Sequence, residues 1–178
     1  MTHGAVGEEE VVLTTARLQL RPWRVEEAGV IRQLWRERDT RVPPHRRLDA
    51  HGRPTLGELE QWVRAQRPST LGFLAVQRAV EGDVIGNCGL LVGEQVPAGE
   101  PEIAVELLRD AWHQGFATEA VSAVLDWAGA SGHRRVWATV REWNSASRRV
   151  LAKVGFEETG RREADGVHGD TVFLRCTL

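Results

Sequence analysis

The spacing of apolar and polar positions changes several times along the chain, and each change marks an element boundary. Thr15-Ala16-Arg17-Leu18-Gln19-Leu20-Arg21 alternates with period two, which predicts a half-buried first strand ended by Pro22. From Val25 to Trp35 the apolar set Val25, Ala28, Ile31, Leu34 and Trp35 recurs every three or four residues, the period of a helix. Pro43-Pro44 and Gly52-Arg53-Pro54 then break the pattern, so a loop must follow. Thr55 stands three residues before Glu58, a capping box for a second helix through roughly Gln66. Leu71 to Val76 and Val84 to Val92 are apolar runs around Glu81-Gly82-Asp83, which predicts a hairpin.

After a loop from Gly93 to Gly99, Glu102-Ile103-Ala104-Val105-Glu106-Leu107-Leu108 alternates again, with its acids on one strand face and most bulky apolar groups on the other. The next helix lines up Ala117, Ala120, Val121, Val124, Leu125 and Ala128 on one side, and Gly129 to Gly132 ends it. Val136 to Val140 reads as a strand, and the order strand, helix, strand implies a right-handed crossover and a parallel pair. Asn144 is an N-cap for a further helix through Lys153-Val154, stopped at Gly155-Phe156. Phe156 to Gly160 and Thr171 to Thr177 are the last two strands, joined through Asp165-Gly166. The expectation is an α/β (α+β) domain over residues 11–178, preceded by a loose leader, residues 1–10, that offers nothing to bury.

At 178 residues the length suits one well-cored domain. A net charge of −2 gives no global reason to expect nucleic acid or membrane as partner, and no segment has about 18 continuous apolar residues. The expected location is cytoplasmic. Cys88 and Cys176 lie in apolar runs with no metal-ligand spacing, which suits buried reduced thiols; a disulfide is the other possibility. Arg32, Arg36, Arg38, Arg41, Arg46, Arg47, Arg53, Arg64 and Arg67 crowd the first two helices and their loop. They read as a solvated surface or as a lip that prefers acidic ligands.

The chemistry centres on Ala111-Trp112-His113-Gln114-Gly115-Phe116-Ala117-Thr118-Glu119-Ala120, where an apolar strand turns through a glycine into a helix. Helix starts leave backbone N–H groups without partners, and the helix dipole adds partial positive charge there, so the turn suits an anion such as a pyrophosphate. An ordinary strand-to-helix connection would look the same at this level.

The run from Trp112 to Ala120, followed by Asn144-Ser145-Ala146-Ser147, Val150-Leu151, Lys153 and Gly155-Phe156, resembles the GNAT superfamily of N-acetyltransferases. Within it the chain is most similar to the branch of ribosomal-protein alanine N-acetyltransferases. The resemblance implies a mixed, mostly antiparallel twisted sheet of about seven strands with one parallel, splayed pair, flanked by about four helices. It also implies acetyl-coenzyme A as co-substrate without a metal, and an acceptor that is a protein or peptide N-terminus or a small-molecule amine. A monomer or homodimer is expected, with no nucleic-acid or membrane partner. The Val105 and Leu107 backbone would pair with pantetheine, and Gln114, Gly115, Phe116, Ala117 and Thr118 would hold the pyrophosphate. His113 would contact phosphate or ribose, or simply face solvent. Two departures stand out: His113 replaces the glycine usual before Gln114, and Leu151 occupies the position, seven residues after Asn144, where the family often has a tyrosine general acid. The chain contains no tyrosine.

Transfer of an acetyl group to an amine needs a deprotonated amine, an oriented thioester and stabilisation of the developing charge. Glu102 and Glu106 are the candidate bases, with pairing to arginine or exposure to solvent as the other reading of each. Asn144 and Ser147, one helical turn apart, could bond pantetheine, and Ser147 is the candidate for stabilising the departing thiolate; a plain helix cap and a surface serine are the alternatives. Neither cysteine occupies a motif position for an acyl carrier, so direct attack in a ternary complex is expected. A coenzyme A-binding module without catalysis, or transfer from another donor such as succinyl-coenzyme A, remain alternatives.

Overall fold

The computed structural model describes residues 13–66 and 72–178. The expected leader, Arg67 and Leu71 lie outside them. Among the described residues the strands are β1 (Leu13–Thr14), β2 (Leu18–Arg21), β3 (Gly72–Arg78), β4 (Val84–Val92), β5 (Pro101–Leu107), β6 (Arg135–Arg141), β7 (Glu157–Glu163) and β8 (Thr171–Thr177). The helices are α1 (Ala28–Glu37), α2 (Leu56–Ala65), α3 (Phe116–Ala130) and α4 (Ser145–Lys153). The eight strands form one sheet in the order β1-β2-β3-β4-β5-β6-β8-β7. Only β5 and β6 run parallel, and α3 is the crossover between them.

The predicted first strand is divided. Thr15 turns the chain, because its N–H donates to the Leu18 carbonyl and its Oγ1 accepts the Leu18 N–H, each at 2.9 Å. Leu18 and Leu20 are buried as the alternation requires, but Arg21 is buried as well. Its guanidinium is held by both carboxylate oxygens of Glu27, at 3.0 and 2.6 Å, and by Gln77 at 2.7 Å. Burial opposes ionisation of Glu27, yet the bonds from Arg21 and the Arg24 amide outweigh it and lower its pKa.

The two faces of the sheet carry different helices. On one face Ile103 and Leu107 of β5 and Val136, Ala138 and Val140 of β6 pack with Ala120, Val121 and Val124 of α3 and Leu151 of α4. On the other, Ala28 and Ile31 of α1 and Leu59 and Val63 of α2 pack with Ala75, Val84 and Trp23. Since side chains alternate across a strand, Glu102, Ala104 and Glu106 face the α1 side. Thr139 and Arg141 of β6 face the same way. Cys88 and Cys176 are free thiols in the α3-side core, and burial pushes the Cys88 pKa up. No helix among the described residues is long and apolar enough to cross a membrane.

Candidate active site

The site begins where β5 and β6 separate. Their ladder has a single register pair, Glu102 with Trp137, beyond which the strands diverge. The Leu108 N–H donates to the Ile85 carbonyl at 2.8 Å. By the alternation of backbone groups along a strand, those of Val105 and Leu107 therefore point away from β4 into the gap. The Leu107 carbonyl is taken by the Trp112 indole N–H at 2.8 Å, whereas Val105 has no ladder partner on that side.

Beyond β5, a single 3-10 turn (Arg109–Ala111) leads to two left-handed residues, His113 at φ 62° and Gly115 at φ 84°. Gly115 suits this geometry because it lacks a Cβ; His113 adopts it with one. The first intrahelical bond here is from Glu119 N–H to the Gly115 carbonyl, 3.1 Å. Among the described residues, the N–H groups from Gln114 to Thr118 have no acceptor, so the start of α3 is a cradle of open backbone donors. Side chains brace the turn from behind. Gln114 Nε2 donates to the Asp110 carbonyl at 2.8 Å, and Arg17 Nη1 to the Gln114 carbonyl at 3.0 Å. Arg17 also pairs with Glu119 at 2.6 Å and lies over the Phe116 ring. Burial works against the Glu119 charge, but bonds from Thr15 and Arg17 prevail and lower its pKa.

Across the gap, Asn144 caps α4 as expected, its Oδ1 accepting the Ser147 N–H at 3.1 Å. The Ser147 side chain is half-buried and makes no hydrogen bond among the described residues. Leu151 is part of the core, so the place of the familiar tyrosine is filled by packing.

The α1 side of the gap holds the two glutamates in different ways. Glu102 Oε1 accepts the Thr139 N–H at 3.1 Å and the Thr139 hydroxyl as well. This carboxylate thus takes the place of a strand at the point where β6 loses its parallel neighbour. Glu102 Oε2 receives no hydrogen bond among the described residues and lies against Gly93, where an added Cβ would come within 2.7 Å of it. Both oxygens of Glu106 are held by Arg38, at 2.7 and 2.6 Å.

Three contacts around the gap escape sequence reasoning. Arg38 pairs with a glutamate 68 residues away, and Thr139 binds one 37 away. Arg141 is fixed by Asp165 and the Gly169 carbonyl, at 2.9 and 2.6 Å. The signal for the first was only the arginine density of the loop. Asp165 is itself held ionised, with its pKa lowered to about 2 chiefly by the His168 amide; burial opposes this, while the Val167 amide, the His168 side chain and Arg141 reinforce it.

The comparisons with known proteins agree with this geometry. Residues 17–157 match the family described as the acetyltransferase (GNAT) domain. The chain is 28% identical over 153 residues to an uncharacterized N-acetyltransferase p20 of Bacillus licheniformis, covering 83% of each chain. Its fold is similar to that of a GNAT-family acetyltransferase from Bacillus anthracis, with a TM-score of 0.76, 18% identity, and 94% and 98% of the two chains covered. A ribosomal-protein-S5-alanine acetyltransferase from Vibrio fischeri is also similar in fold, with a TM-score of 0.67, 18% identity, and 94% and 97% coverage. With the open β5 edge, the cradle at α3 and a family match over most of its length, the chain belongs to the GNAT family of N-acetyltransferases.

Proposed function

We propose that this protein transfers an acetyl group from acetyl-coenzyme A to a primary amine by direct attack within a ternary complex. The observation that supports this most is the outward backbone of Val105 and Leu107 followed closely by N–H groups without acceptors at Gln114, Gly115, Phe116, Ala117 and Thr118. Such a track suits a long ligand with a polar amide arm and a pyrophosphate. When bound, acetyl-coenzyme A supplies an activated acyl carbonyl and a thiol leaving group.

The residues divide the remaining work. The Val105 backbone and the Leu107 N–H hold the amide arm, and the α3 cradle holds the phosphates, with His113 beside them. Ser147 donates its hydroxyl to the departing sulfur, and Asn144 keeps it in place by capping α4. Glu102 takes the amine proton through Oε2, directly or through a water, while Thr139 fixes Oε1. An α-amine has a reference pKa of about 8, so a carboxylate need do little more than remove one proton near neutrality. Glu106, held at both oxygens, anchors Arg38 instead of acting as base. The core positions of Cys88 and Cys176 favour direct attack over an acyl-cysteine route.

Varying acetyl-coenzyme A against several amines tests the reading. Intersecting initial-rate lines, with one thiol released per acetylated amine found by mass spectrometry, are the expected result. Coenzyme A binding with no amine acetylated would favour a non-catalytic module, and turnover confined to succinyl-coenzyme A would reassign the donor.

A further inference from the structure

The loop between β4 and β5, residues 93–100, reaches across the sheet and returns. From the end of β4 it runs to β7, where Arg161 Nη1 donates to the Gln95 carbonyl at 2.7 Å and Gln95 Nε2 donates to Glu163 at 2.5 Å. It comes back over β6, where Glu100 accepts from Arg135 at 2.9 Å and from the Trp137 indole N–H. The chain then enters β5 at Pro101, opposite Val92. Trp137 shares a strand face with Thr139, so the returning loop lies on the α1 side of the sheet. It is held there at Gln95 and at Glu100.

At its first residue this loop rests on Glu102. A Cβ added to Gly93 would stand 2.7 Å from Glu102 Oε2, 3.1 Å from Glu102 Cβ and 2.6 Å from Val96 Cγ2, all inside van der Waals contact. Gly93 has no positive φ, so the backbone conformation does not call for glycine; the contact does. On its other side the same carboxylate takes the Thr139 N–H at 3.1 Å and the Thr139 hydroxyl through Oε1. Glu102 thus lies in a slot, with two donors on one wall and bare backbone on the other. The loop is held, so a methyl group at residue 93 would turn the carboxylate, the free end of a flexible side chain, off its Thr139 donors.

We infer that Gly93 is a positioning residue for acetyl transfer: its bare backbone lets the loop hold the Glu102 carboxylate on Thr139, in the orientation from which it removes the amine proton. This rests on the N-acetyltransferase reading above, with Glu102 as base. The coenzyme contacts at Val105, Leu107 and the start of α3 involve no residue of this loop. Substitution at Gly93 therefore acts on kcat and leaves the KM for acetyl-coenzyme A in place.

The test is a double-mutant cycle of Gly93→Ala and Glu102→Gln, read as thiol release with acetyl-coenzyme A and a primary amine that the parent enzyme acetylates. Gly93→Ala should lower kcat about tenfold or more, with the KM for acetyl-coenzyme A within about threefold of the parent. In the Glu102→Gln background, where no base is left to misplace, the same methyl should change kcat by less than about twofold. Coenzyme A titration reports whether each variant is folded. If Gly93→Ala alone binds no coenzyme A, the pair Gly93→Ala/Glu102→Ala, which clears the carboxylate from the slot, decides: regained binding supports the contact and continued loss overturns it. An unchanged kcat in Gly93→Ala, a loss confined to the KM for acetyl-coenzyme A, or an equal further loss in the Glu102→Gln background overturns the inference. A parent-like kcat in Glu102→Gln defeats the inference and leaves the acetyltransferase reading standing, whereas a parent protein that releases thiol with no amine defeats both.

Discussion

Thr139 directs both its backbone N–H and its hydroxyl to Oε1 of Glu102, at the point where β5 and β6 cease to pair. A strand that leaves its neighbour would otherwise orphan that N–H. The same carboxylate therefore ends the ladder, and we propose it as the base as well.

These two roles can be separated by substitution. Glu102→Gln keeps an acceptor for Thr139, and its stability should stay within about 1 kcal/mol of the parent. Glu102→Ala leaves the amide unsatisfied and should lose about 1–3 kcal/mol. If Glu102 is the base, both variants lose the carboxylate limb of the pH profile of kcat/KM. An unchanged profile in Glu102→Gln would leave the residue a structural wedge alone.

Ser147 should show the opposite pattern. Its hydroxyl has no partner among the described residues, so Ser147→Ala should leave the melting temperature unaltered. Its kcat should fall about tenfold, equivalent to about 1.4 kcal/mol of transition-state stabilisation. A rate within about twofold of the parent would remove Ser147 from the mechanism.

At the α3 cradle the contacts come from backbone, so side-chain loss matters less than backbone geometry. Gly115→Val places a β-branched residue at φ 84° and should weaken coenzyme A binding by about tenfold or more. His113→Gly relieves a left-handed non-glycine residue and should be neutral or stabilising by about 1 kcal/mol, with affinity held within about threefold. Calorimetric titration of both variants checks this, and a large loss in His113→Gly would make the imidazole a true ligand.

Much of this was legible in the chain because it is local. The Thr55–Glu58 capping box forms with both bonds, 3.3 Å to the Glu58 amide and 2.7 Å from the Thr55 amide, and the Asn144 cap forms as expected. The parallel pair around α3 follows from element order. Long-range partners were not legible: the arginine-rich loop signals positive charge but not that Arg38 is neutralised by Glu106. Strand β7 extends to Glu163, beyond the expected Gly160, because pairing with β8 sustains an exposed, charged segment that has no apolar alternation.

Acid should loosen the β7–β8 connection. The folded pKa of Asp165 is lowered to about 2, below the unfolded value of about 3.9, so its contribution is fully present above about pH 4. It is lost as pH falls through about 2. Asp165→Asn should flatten the stability profile in that window and leave Arg141 held by the Gly169 carbonyl without its ionic partner. Chemical denaturation at stepped pH measures it; parallel profiles for parent and variant would contradict the assignment.

The central claim, that the open β5 edge and the α3 cradle form a coenzyme A site, is tested most directly by thermal unfolding with and without coenzyme A. At a ligand concentration about 100 times the dissociation constant, the protein should gain about 2.7 kcal/mol and melt several degrees higher. Gly115→Val should show little of that gain at the same concentration. An unchanged melting temperature in the parent protein at millimolar coenzyme A and acetyl-coenzyme A would contradict the account.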